Sequence, residues 1–121
     1  MKNNANHKRY VIGEWLQDSE PVYWCWLYVA GNMNEIEIVC RKFVFPNGVC
    51  VTIEPLKYVF AGGLEPGAKI GFIQYVPFPE KQEEILNKAI DLGKKIAEAN
   101  YQWSYSIIDI HKSYFFSRRR T

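Results

Sequence analysis

A chain of 121 residues that is 48% hydrophobic and 16% aromatic has the length of one domain and enough apolar material for a core. No apolar run reaches the ~20 residues needed to cross a bilayer, no apolar segment backs the basic start MKNNANHKRY as a secretory leader requires, and the expectation is no membrane and a cytoplasmic location. A net charge of only +2, with no RNA-binding signature, disfavours dedicated nucleic-acid binding.

The charge is unevenly placed. Between residues 10 and 111 lie eight bases and thirteen acids, a net of −5, while seven bases crowd the two ends. The expected organisation is a flexible basic N-terminal tail over 1–9, a single domain over 10–117 and a basic C-terminal tail over 118–121. Cys25, Cys40 and Cys50 are odd in number, sit in apolar runs and form no CxxC pair. They read as buried free thiols and not as a disulfide framework or zinc site.

In chain order, residues 10–16 read as a first strand and DSEP (18–21) as a turn. The stretch VYWCWLYVA (22–30) is a strand with two apolar faces: Trp24, Trp26 and Tyr28 on one, Tyr23, Cys25, Leu27 and Val29 on the other. The smaller residues of the second face suit contact with a helix. GNMN (31–34) reads as a tight connection. EIEIVCRKFVF (35–45) opens with strict alternation and reads as a strand, followed by an Asn-Gly hairpin signal at 46–48. Residues 49–60 would return as strand, interrupted by Pro55. GGLEPG (62–67) reads as a turn cluster, and 68–76 as a further strand.

Residues 80–99 predict an amphipathic helix. Ile85, Leu86, Ala89, Leu92, Gly93, Ile96 and Ala97 form one apolar stripe. Acids crowd the start and lysines the end, with Glu84–Lys88 and Asp91–Lys95 spaced for ion pairs and Asn100 as a cap. YQWSYSIIDI (101–110) returns to strand, with Tyr101, Trp103 and Tyr105 sharing a face, and YFFS (114–117) closes the set. The fold class is α+β: a β-rich antiparallel sheet, curved in the manner of a half-barrel, with one amphipathic helix packed on one face.

The catalytic inventory is thin. There is no GxSxG, HExxH, P-loop or GxGxxG motif, and no metal-ligand cluster or cofactor motif. Asp109 and His111 lie two apart, where a strand would put them on one face as an oriented base. Aromatics and arginines remain. Trp24, Trp26 and Tyr28, with Trp103 and Tyr105, could stack on a planar ring, and Arg118, Arg119 and Arg120 could hold an anion.

The leading expectation is therefore a small non-enzymatic protein, homo-oligomeric, that binds or sequesters a small anionic, nucleotide-like ligand at those eight residues. Its profile is that of a phage or mobile-element accessory protein. One alternative is an inhibitor or immunity-type protein with a protein target, acting through its aromatic surface. Another is a small enzyme using Asp109 and His111.

Overall fold

A computed structural model describes residues 8–19, 21–74 and 80–119. Its elements are β1 (Lys8–Ile12), β2 (Trp15–Ser19), β3 (Trp24–Ala30), α1 (Met33–Asn47), β4 (Val51–Phe60), β5 (Gly63–Ile73), α2 (Gln82–Ala99), β6 (Ser104–Asp109) and β7 (Ser113–Ser117). The fold is α+β, as expected, with two helices where the sequence predicts one. The five-stranded sheet is antiparallel and open, in the order β4-β5-β3-β6-β7, and β1 and β2 form a separate hairpin. From β3 to β6 the chain runs β-α-β-β-α-β with each helix bridging strands that are not neighbours, a split βαβ arrangement of ferredoxin-like type.

Both helices cover one face of the sheet. Cys25, Leu27, Val29, Ala68, Ile70, Phe72 and Ile107 point towards them and are buried with Ile36, Cys40 and Phe43 of α1 and Ile85, Ala89, Leu92 and Ile96 of α2. The face of β3 expected to meet a helix does so. Gly93 lets α2 come close: a Cβ there would lie 2.5 Å from the Tyr105 ring and 2.9 Å from Leu27.

Several local expectations are corrected. Residues 35–45 are not a strand but the body of α1. Asn32 caps it, its side-chain oxygen accepting from the Glu35 N–H at 3.1 Å. Gly48 ends it in the left-handed conformation at φ 60, so the Asn-Gly pair is a helix stop and not a hairpin. The strand read over 10–16 is interrupted by a turn at Gly13, φ 61, with β1 and β2 on either side; β1 also takes in Lys8 and Arg9, while residues 1–7 lie outside the described residues. β4 runs unbroken through Pro55, which an edge strand tolerates. GGLEPG is mostly strand, the turn being Ala61–Gly62. The end of the strand read over 68–76 falls partly on residues 75–79, outside the described set.

α2 begins at Gln82 inside the predicted span. The Asp91–Lys95 ion pair forms at 3.3 Å. Lys88 pairs with Glu80 and not with Glu84, because the Glu84 carboxylate accepts from the Lys81 backbone N–H at 3.1 Å and closes the first turn. Asn100 caps α2 and also ties it to α1: its Nδ2 donates to the Ile96 carbonyl at 3.0 Å and its Oδ1 accepts from the Asn32 N–H at 3.1 Å. Cys25 and Cys40 are buried and Cys50 is exposed, which corrects one of three thiol placements. Burial pushes Cys25 up to about 12 and Cys40 up to about 11. Such thiols are inert at neutral pH.

Candidate functional site

The sheet face away from the helices has no covering layer among the described residues. Trp24, Trp26 and Tyr28 stand along its centre on β3, with Thr52, Glu54 and Tyr58 on β4, Glu65 and Lys69 on β5, and Ser106 and Phe115 on β6 and β7 in matching register. Trp24 and Trp26 lean on each other with centroids 4.6 Å apart. Lys69 holds its ammonium 3.9 Å from the Trp26 ring and 3.6 Å from the Glu54 carboxylate. Gly71 faces Trp26 across the register and leaves room for the Thr52 hydroxyl, which a Cβ there would crowd.

At one end of this face is a cavity of 360 Å³. Its aromatic walls are Tyr28, Tyr58, Phe60 and Phe115 with Tyr105 at the edge, and its polar groups are Glu65, Gln102, Ser104 and Ser106. Tyr58 stands directly opposite Glu65 in the β4–β5 ladder. Its ring packs on Gly67, where a Cβ would come within 2.6 Å. Partial burial first, and then the neighbouring Tyr28 and Glu65, raise the Tyr58 hydroxyl above its ordinary value, so it stays protonated and can donate. Aromatic side chains lining one cavity with a carboxylate suit a positively charged guest. A second hollow of 740 Å³ adjoins it through Glu65 and Gln102, at the start of α1 and the end of α2.

The residues expected to bind ligand divide between two places. Trp24, Trp26 and Tyr28 form the row on the open face, and Tyr28 reaches the cavity. Trp103 and Tyr105 do not continue that row. Tyr105 points to α2, donating its hydroxyl to the Ile90 carbonyl at 3.0 Å, and Trp103 lies before β6, 55% exposed under the Arg118 guanidinium. Tyr101 is a turn residue at φ 58 and shares no face with either. Arg119 is exposed, its backbone N–H donating to Ser117 Oγ at 3.1 Å. Arg120 lies outside the described residues.

Asp109 and His111 do not make an oriented base. Asp109 Oδ1 accepts from the His111 and Lys112 backbone N–H groups, each at 2.7 Å. Its Oδ2 accepts from the Tyr23 hydroxyl at 2.9 Å and the Tyr114 hydroxyl at 3.3 Å. The His111 ring instead approaches Gln82 Oε1 at 3.4 Å. The pair shapes the β6–β7 turn. Among the described residues no cluster of His, Cys, Asp or Glu could hold a metal, and no helix is long and apolar enough to cross a membrane.

Tyr58, Phe60, Glu65 and Phe115 were not singled out from sequence. The one available signal was pairing: folding LKYVF back on GLEPG across Ala61–Gly62 sets Tyr58 against Glu65, but Pro66 and Gly67 made that segment look like loop.

No family model matches the chain, and no curated protein matches it. Two solved structures are similar to it in fold. One is a phage SAM lyase in the apo state, with TM-score 0.64 and 18% identity over 82% of this chain and 91% of that one. The other is a phage SAM lyase in complex with S-methyl-5′-thioadenosine, with TM-score 0.62 and 18% identity over 79% of this chain and 89% of that one. These likenesses correct the expectation of a non-enzymatic protein. That expectation rested on missing catalytic motifs, and the same fold serves a lyase.

Proposed function

We propose that this chain is a small lyase that cleaves S-adenosylmethionine and releases S-methyl-5′-thioadenosine, with its site in the 360 Å³ cavity of the open sheet face. The observation that carries the reading is the set Tyr28, Tyr58, Phe60 and Phe115 in one cavity with Glu65, in a fold similar to that of a lyase whose complex holds this thioadenosine. The ligand is thus nucleotide-like, as expected from the aromatic residues, but cationic at its reacting centre.

The chemistry suits a site with few acid–base groups. A sulfonium is already a good leaving group, so no general acid is needed. The bond from sulfur to the γ-carbon breaks and its electron pair stays on sulfur, giving the neutral thioether. The substrate's own carboxylate oxygen bonds to the γ-carbon in the same step, closing a lactone, and no proton moves. Catalysis is then positioning and charge stabilisation. Aromatic faces hold the sulfonium, Glu65 binds the ammonium group, and the Tyr58 hydroxyl donates to the ribose.

The test is the rate of thioadenosine release from S-adenosylmethionine, by chromatography against a protein-free control. The expected result is clear acceleration, with Glu65→Gln lowering kcat/KM at least tenfold, a loss of ~1.4 kcal/mol of transition-state binding, and the melting temperature unchanged. No release above the control would sink the reading.

The homo-oligomer expected from sequence belongs to the same proposal. Phe115 is 71% and Phe60 57% exposed at the rim of the cavity, and further copies of the chain covering the open face would take these rings out of water. The phage source of the similar structures supports the accessory-protein profile.

A further inference from the structure

On the helix side of β6 lies a smaller cavity, of 220 Å³, between the last turns of α2 and the ends of β6 and β7. Its floor is aromatic. Tyr105 and Phe116 stack with centroids 4.8 Å apart and planes 17° from parallel, and the Tyr105 hydroxyl anchors its ring to the Ile90 carbonyl. Ala97 lies below, and Lys94 stands on the helix wall.

The rim is Trp103 and Arg118. Arg118 donates Nε at 3.0 Å and Nη2 at 2.6 Å to the Gln102 carbonyl, and its backbone N–H donates to the Trp103 carbonyl at 2.9 Å. The guanidinium is thereby held 5.5 Å from the centre of the Trp103 ring. These bonds engage one edge of the fork and leave the other edge to donate outward. A long exposed side chain normally keeps its rotamer freedom, and immobilising it costs entropy; here the Gln102 carbonyl already holds the guanidinium. Trp103 nevertheless remains 55% exposed among the described residues, an apolar surface only partly covered.

We propose that this cavity is a second binding site, taking a small one-ring aromatic carboxylate, with Arg118 pairing the carboxylate while Trp103, Tyr105 and Phe116 enclose the ring. The size selects the class: the cavity is smaller than the ~300–1,000 Å³ usual for drug-sized ligands, so it admits a single ring and not a nucleotide. The planar fork selects a carboxylate presented edge-on. The Lys94 ammonium on the opposite wall adds positive charge, and Glu98 beside it weighs against more highly charged anions. The site does not depend on the lyase reading. Gln102 and Tyr105 line both cavities, so a useful readout must come from residues belonging to only one.

The experiment is a titration of the full ¹⁵N-labelled chain with benzoate, followed at the Trp103 indole N–H and the Arg118 Nε–H, with the Tyr28 and Tyr58 amides as reporters of the other cavity. The expected result is saturable shifts at Trp103 and Arg118 and none at Tyr28 and Tyr58. Benzamide, the uncharged analogue, should bind at least tenfold more weakly, and inorganic phosphate should not displace benzoate. Arg118→Gln should weaken benzoate at least tenfold, and Lys94→Ala, on an exposed helix position where folding is not at stake, about threefold. The proposal is overturned if benzamide binds as tightly as benzoate, if the shifts fall on Tyr28 and Tyr58, if no site saturates, or if both variants bind as the parent does. None of these results bears on thioadenosine release, so the two readings fail separately.

Discussion

Asp109 is buried and carries a charge, a combination that usually demands compensation. Burial alone would raise its pKa, but the two turn N–H groups and the two tyrosine hydroxyls outweigh burial and hold it below the ordinary carboxylate value. The sign of its pH dependence follows. A depressed folded-state value contributes stability that is fully present above pH ~4 and is lost as the pH falls through the folded value. Asp109→Asn replaces an acceptor with a donor that faces other donors. It should cost ~1–3 kcal/mol at neutral pH and flatten the fall in stability below pH 4, both read from denaturant curves at several pH values. A variant with the parent's steep acid limb would show that other carboxylates carry it. The same residue shows what pattern reading misses. Asp-x-His resembles a catalytic pair only while the backbone is taken as straight; at a turn the aspartate folds back on the next amides, and the imidazole is left outside.

Among the elements, α1 resisted sequence reading and α2 did not. The alternation in EIEI puts Ile36 and Ile38 on one strand face, but only Ile36 is buried and Ile38 is 45% exposed. The spacing that matters is Ile36, Cys40, Phe43, four and then three residues apart, which a four-residue window does not reveal. Asn32 and Glu35 were the missed start signal and Gly48 the misread stop. Asn32→Ala should cost ~1 kcal/mol in equilibrium unfolding; no change would mean the Asn100 contact alone fixes that end. In α2 the predicted stripe, including Gly93, is the packed one. Gly93→Ala is favourable for an isolated helix, yet here the added methyl meets Tyr105 and Leu27. Overpacking of this kind costs ~1–3 kcal/mol, so a lower melting temperature is expected despite the better helix former. A rise would mean the helix can shift away from β6.

For the whole molecule, the two-faced β3 stated in advance that something must cover each side. One side was legible because Cys25, Leu27 and Val29 match a helix stripe in size. The other was not, because nothing in a single chain says whether a wide aromatic face is covered by a ligand or by further copies. If copies cover it, light scattering should give a multiple of the chain mass, and Phe115→Glu on the open face should reduce it to one chain without unfolding. A parent protein of single-chain mass at tens of micromolar would remove the oligomer from the proposal. The cavity escaped for a related reason: its groups come from five strands, and strand order is not a local property of sequence.

The strand order also has a consequence in time. Trp26 lies between Gly71 of β5 and Ile108 of β6, and neither strand is next to β3 in the chain. As the protein leaves the ribosome, β3 emerges with both edges bare and must wait for β5, and longer for β6, which follows it by two helices and two strands. Non-local pairings of this kind form slowly, and an unpaired apolar strand invites association with other chains in the meantime. The nascent chain therefore has an interval of vulnerability that ends only when β6 docks, so truncation before Ser104 should yield aggregates and not a smaller folded domain.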